Sequence, residues 1–452
     1  MKKLVKFLAA ASIVFTLGAC SKDSSSGSLE DKVVIKYANW NLGTEAEKNL
    51  ERLMIEEYEK QHKNIDIKID ESITNDDWKG SLSTAASAAK LPDVFMLTDI
   101  PTGVTNDWLL DISSMIEKDS EFANLPVSLK ASTENDGKTF AIPFAQHFMG
   151  YYVNKDLFQT LNLDVPEYGV ALDQFREGIK ETTDVGNGTV GINSTTDFVD
   201  WFAGAKNPEV DWFTYSKEKY HLDSPEMFEG INLAKDLGTN GYVYEGLEKE
   251  VQESLSGEDI GLAFKAGQIA YYWSGTWMNS DFAKNVDFDW DFVGLPGGRS
   301  AIAVDYLGIA KSSKHTEVAY DFAKFMSFGK DGFMKRMELS TDSGNEINTL
   351  PISADEEVLE NYWDISSVPG IQRAYENLDT AMIDPIKIIP GYAASRWEAK
   401  TGIKIGENEN ATIIDLLKNS VYGNVHYQDY AKQLNELSQQ QYDEAVEAMK
   451  KK

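Results

Sequence analysis

Val33-Val-Ile-Lys-Tyr-Ala38, Ile65-Asp-Ile-Lys-Ile69 and Asp93-Val-Phe-Met-Leu97 are three short apolar runs separated by two segments of helical character. The first is rich in β-branched residues, the second alternates apolar with polar positions, and the third has the look of a short buried strand. Between the first two, Thr44 with Glu47 three residues later reads as a capping box that opens a helix running to about His62. Leu50, Leu53, Met54 and Tyr58 give that helix one apolar face. A second helix, about 78–89, carries Leu82, Ala85, Ala86 and Ala89 together and stops before Pro92. Strand, helix, strand, helix, strand predicts a parallel sheet with helices packed on it. In such sheets a ligand binds beyond the carboxyl ends of the strands, where Trp40-Asn41 and Thr98-Asp99 stand.

Upstream, Lys2, Lys3 and Lys6 precede the mostly apolar run Leu8–Leu17, which is too short to span a bilayer. This pattern predicts a secretory signal peptide over residues 1–19. Leu17-Gly-Ala-Cys20 resembles a bacterial lipobox, in which the cysteine thiol takes a diacylglyceryl group and the chain is cut just before it. Cys20 is the sole cysteine. Residues 20–30 then form a lipidated cysteine and a polar tether with a reach of about 17 Å. Downstream, helices are expected at about 155–162, 172–183, 225–238, 316–327, 412–419 and 428–449. Two strands, Phe140–Phe144 and Met149–Val153, flank a Gln146-His147 that reads as irregular.

The chain has 452 residues, 42% hydrophobic and 11% aromatic, which is enough for a large core and two or three domains. Its net charge of −30 repels phosphate backbones, so nucleic-acid binding is disfavoured as a main task. One cysteine forbids an internal disulfide, and five dispersed histidines offer no paired metal motif. Gly186-Asn-Gly-Thr-Val-Gly191 satisfies a dinucleotide fingerprint in letters only. It follows a predicted helix and leads into a strand, the reverse of the required order, so it reads as a turn. No metal or cofactor is expected.

Five blocks, in order, carry a resemblance across nearly all of the chain after the tether. They are Thr84–Phe95; Ile142-Pro-Phe144 with Tyr152-Val-Asn-Lys-Asp-Leu-Phe158; Phe264–Trp277; Gly294-Leu-Pro-Gly-Gly298; and Gly308-Ile-Ala-Lys-Ser-Ser-Lys314. Together they resemble the extracellular solute-binding protein family 1, the substrate-binding lipoproteins of carbohydrate ABC transporters, similar to maltose- and oligosaccharide-binding proteins. The resemblance implies a two-lobed α/β fold like that of periplasmic binding proteins, each lobe a mostly parallel sheet flanked by helices and joined by hinge strands. It implies an N-terminal lobe of residues 31–144 plus 301–349 and a C-terminal lobe of 145–300 plus 350–452. A carbohydrate ligand, the permease subunits of an ABC transporter and a membrane reached only through the lipid anchor are the implied partners, for a monomeric protein without hydrolytic activity.

Pyranose rings offer apolar C–H faces to aromatic rings and hydroxyls to polar side chains. The resemblance places a stacking aromatic at Trp277 after Ser274-Gly-Thr, and site aromatics less closely at Trp40 and Trp397. His147 falls at a position for a polar ligand contact or, equally, for a hydrogen-bonded hinge histidine. Asn41, Gln146, Asp99, Asp197, Trp201, Asp305 and Tyr306 complete the candidates. Trp78, Trp108 and Trp290 read as packing. Two other readings stay open at this level. One is a lipid-anchored surface glycoside hydrolase or lyase; the other is the same fold holding a polyamine or other small cation.

Overall fold

The computed structural model describes residues 32–256, 259–353 and 355–451. The expected signal peptide, Cys20 and the tether lie outside these residues. One sheet organises the molecule. Its strands are β1 (Val33–Ala38), β2 (Ile65–Ile69), β3 (Val94–Met96), β4 (Ile142–Asn154), β5 (Val190–Ile192), β6 (Ile269–Gly275), β7 (Trp290–Gly294), β8 (Ala301–Ile309) and β9 (Met382–Ile383). They run in the order β2-β1-β3-β8-β4-β6-β5, with β9 beside β8 and β7 beside β4.

At one end β2, β1 and β3 are parallel, as their helical connections require. At the other end β5 lies parallel to β6 and β9 parallel to β8. The two long strands, β4 and β8, are antiparallel to each other and join the ends, so the architecture is a two-lobed α/β fold. A third strand-like passage crosses beside them. The Leu350 N–H donates to the Gln146 carbonyl at 3.1 Å, and Gln146 N–H donates to Thr349 Oγ1 at 3.1 Å.

The 13-residue β4 corrects the expectation of two strands around an irregular Gln146-His147. Gln146 and His147 keep register opposite Val304 and Ala303, so the ladder continues through them. Within β4, Gly150 lets β7 cross closely, because a Cβ there would stand 2.8 Å from the Gly294 backbone.

The first helix, α1 (Leu50–Gln61), begins later than the capping box suggests. Glu47 Oε2 does accept the Thr44 N–H at 2.5 Å. Lys48, however, takes a φ of 46°, which ends that turn, and Asn49 caps the helix by accepting the Arg52 N–H at 3.2 Å. The second helix, α2 (Trp78–Ser87), buries Trp78, Leu82 and Ala85. The 186–191 glycine segment turns at Gly188, φ 89°, and its last two residues enter β5, as its order predicts. The last helix, α3 (Ala431–Lys450), buries Ala431, Leu434, Ser438, Tyr442 and Met449.

Candidate functional site

Strand alternation sends Ala145, His147, Met149 and Tyr151 to one face of β4. The register sets Asp305, Ala303 and Ala301 of β8 beside the first three. On this face His147, Met149, Ala303 and Asp305 are partly exposed, whereas Phe148, Val304 and Tyr306 between them are buried. Trp277 stands just past β6, 46% exposed, with its ring edge-on to His147 at 5.5 Å between centroids. Its indole folds back over Gly275, where a Cβ would come within 2.1 Å of a ring carbon. Glycine at that position is what gives the ring its place.

Trp40 stands just past β1. Its ring packs edge-on against Trp78 at 5.2 Å, and the Lys387 ammonium lies 4.9 Å from its centroid. Lys387 is also paired with Asp305. Thus Trp40 and Asp305, separated by more than 250 residues of sequence, meet at a lysine that sequence reading did not single out, while Trp277 touches the neighbouring His147. Burial drives the His147 imidazole down to about 4, with the Lys387 charge helping and Asp305 opposing. It is therefore neutral at physiological pH, and its buried Nδ1 has no hydrogen-bond partner among the described residues.

A second group forms around Arg396, which the sequence reading also missed. Its guanidinium is sandwiched over the Phe213 and Trp397 rings at 4.6 and 5.2 Å, and it pairs with Asp200, Nη2 donating at 3.0 Å to Oδ2. Nothing in the local sequence links residues 196 positions apart. Trp397 remains 41% exposed. Nearby, Trp212 and Trp273 stack at 6.2 Å, and neither was anticipated as a site residue. Asp384 connects the groups, since the charges of Asp200, Arg396 and Lys387 all reach it; burial pushes its carboxyl up to about 6.

The remaining candidates separate by burial. Asn41 is exposed and lines a cavity of about 270 Å³ with Ala145, Lys284 and Asn345. Asp99 is a cap, accepting the Thr102 N–H at 2.6 Å at the start of a short helix. Gln146 is 1% exposed and donates to the Pro351 carbonyl and to Tyr375 Oη, so it ties the third crossing in place. Trp201 is 1% exposed, its Nε1 donating to Tyr151 Oη at 3.2 Å, and Tyr151 Oη in turn donates to Asp197 Oδ2 at 3.1 Å. Tyr306 is fully buried and donates to Ser132 Oγ at 2.8 Å. Gln146, Trp201 and Tyr306 are therefore internal polar or packing groups with no free surface for a ligand, a correction to the sequence reading, and Asp197, 9% exposed, is the buried acceptor of the Tyr151 hydroxyl. Trp78 and Trp108 are buried, as expected for packing. Among the described residues no cluster of His, Cys, Asp and Glu is arranged to hold a metal ion.

Two lobes joined by crossing strands, with aromatic rings and paired charges where the lobes meet, define a binding protein of the periplasmic type. The sequence matches the bacterial extracellular solute-binding proteins over residues 42–328, and the chain belongs to that family. It is 24% identical over 338 residues to the multiple sugar-binding protein of Streptococcus mutans, covering 69% of this chain and 75% of that one. An uncharacterised ABC transporter extracellular-binding protein of Pyrococcus horikoshii is 26% identical over 350 residues, covering 73% and 74%. Among solved structures, an ABC substrate-binding protein of Listeria monocytogenes in complex with cycloalternan superposes with a TM-score of 0.68 at 21% identity, over 91% of this chain and 99% of that one. The cyclic α-maltosyl-1,6-maltose binding protein of Arthrobacter globiformis superposes with a TM-score of 0.67 at 18% identity, over 93% and 100%.

Proposed function

We propose that this protein captures a neutral oligosaccharide in the cleft between its lobes and delivers it to the permease of an ABC importer. On this reading Cys20 is lipidated and holds the chain at the outer face of the membrane. The division of the lobes at 144/145, 300/301 and 349/350 belongs to the same proposal, as does a monomeric state. The observation that carries it is the pairing of two half-exposed indoles, Trp277 and Trp397, and the partly buried Trp40 with polar groups already matched in charge. Rings of that kind suit the C–H faces of pyranoses. The Streptococcus, Listeria and Arthrobacter relatives, named for sugars or bound to one, support the same class of cargo.

The charge arrangement favours a neutral ligand over a polyamine. Asp305 is matched by Lys387 and Asp200 by Arg396, while burial pushes the Asp197 and Asp384 carboxyls toward the protonated, neutral form. A polyamine carries several ammonium groups and needs as many free carboxylates. The same pairing argues against hydrolysis, which requires two carboxylates free to act together.

A thermal-shift screen with maltotriose, isomaltotriose, cellotriose and mannotriose, alongside spermidine, tests the reading. A sugar at a hundred times its dissociation constant should add about 2.7 kcal/mol to stability. Stabilisation by spermidine alone, or release of shorter sugars on incubation, would overturn it.

A further inference from the structure

We propose that Lys387, seated on the Trp40 ring, and its partner Asp305 are the residues that read the hydroxyl pattern of the bound sugar. The inference rests on the carbohydrate reading of the cleft and names the part of it that sets specificity.

The subsite is rigid on three sides. Trp40 is fixed by the edge of Trp78, whose Nε1 donates to the Met96 carbonyl at 2.9 Å, and Asn75 Nδ2 donates to the Trp40 carbonyl at 3.3 Å. Asp305 is held by the β8 ladder opposite Ala145. Lys387 is anchored through β9: Asp384 N–H donates to the Ile302 carbonyl at 2.8 Å, and Asp384 Oδ1 accepts the Ile386 N–H at 3.1 Å. Placement on such elements is what a discriminating contact needs.

The hydrogen-bonding capacity of the pair is only partly used. An ammonium has three donors. One goes to Asp305 Oδ1, and another sector faces the indole. A donor remains, and Asp305 Oδ2 accepts no hydrogen bond among the described residues. A free donor and a free acceptor thus belong to one ion pair, the complement of two adjacent hydroxyls. Both side chains are 22% exposed. They are reachable, yet dry enough that the ion pair and the cation–π contact hold them in place when the ligand arrives. His147 stands one strand away, opposite Ala303, and adds shape without charge.

The test pairs a residue with a hydroxyl. The strongest binder among maltotriose, isomaltotriose, cellotriose and mannotriose is titrated calorimetrically into wild type, Lys387→Met and Asp305→Asn, together with its monodeoxy analogues. Lys387→Met should bind the parent sugar about tenfold more weakly, as expected for one hydrogen bond to a charged group. One deoxy analogue should lose about as much on wild type, yet bind Lys387→Met no worse than the parent does; a neighbouring deoxy position should behave the same way with Asp305→Asn. Melting temperatures without sugar show that each variant is folded; should one fail, the other carries the test. A sugar that binds wild type while no deoxy position couples to either residue overturns the subsite alone. If none of the four sugars binds wild type, the carbohydrate reading falls and takes this inference with it.

Discussion

Trp277 has nearly half its surface in solvent and touches His147 and Gly275 rather than a packed core. Trp277→Ala should therefore leave the melting temperature close to wild type while weakening sugar binding about thirtyfold, the loss of a central aromatic anchor. Calorimetry and thermal denaturation on the same variant check both halves; unchanged affinity in a folded protein would remove Trp277 from the site. Asp197 behaves differently, because burial pushes its carboxyl up to about 8 against an ordinary value near ~4. The folded state thus holds a proton that the unfolded state gives up. Stability from this group is full below about pH 4 and is lost as pH climbs through about 8. Asp197→Asn cannot ionise, so its melting temperature relative to wild type should rise steadily from pH 5 to pH 8.5; a pH-independent difference would contradict the assignment. The sequence could reveal Trp277 because a strand, a glycine and an indole lie next to one another. It could not reveal Lys387 or Arg396, since their partners Asp305 and Asp200 are brought to them only by the folding of the sheet and the returning C-terminal chain.

At the level of elements, periodicity located β1, β2, the final helix and the helical connections with small errors at their ends. It failed where two influences compete. β4 runs through Gln146-His147 because strands on both sides and the 349–351 passage satisfy its backbone, a tertiary effect invisible in the local pattern. α1 starts late because Lys48 interrupts the helix between a well-formed turn and a better cap. The end of β6 has its own local requirement. Gly275→Ala would drive a methyl into the Trp277 ring, which must swing aside. The expected outcome is a roughly tenfold loss of sugar affinity with the fold retained. Equal binding by Gly275→Ala would show that the ring's present position does not matter.

For the whole molecule, the surplus of acidic residues says little about the site, where charges are paired. The proposed lipidation of Cys20 predicts that Cys20→Ala abolishes incorporation of labelled fatty acid and releases the protein from the membrane; acylation of that variant would disprove the anchor. The family was readable in five separated blocks, but the crossing strands became clear only with the register. A cleft bounded by strands from both lobes should close when a ligand bridges them, with secondary structure unchanged. Small-angle scattering with and without the sugar that gives the largest thermal shift tests this most directly. A smaller radius of gyration at saturation, with an unaltered far-ultraviolet circular dichroism spectrum, is the predicted result. An identical radius of gyration with the sugar demonstrably bound would contradict capture between the lobes.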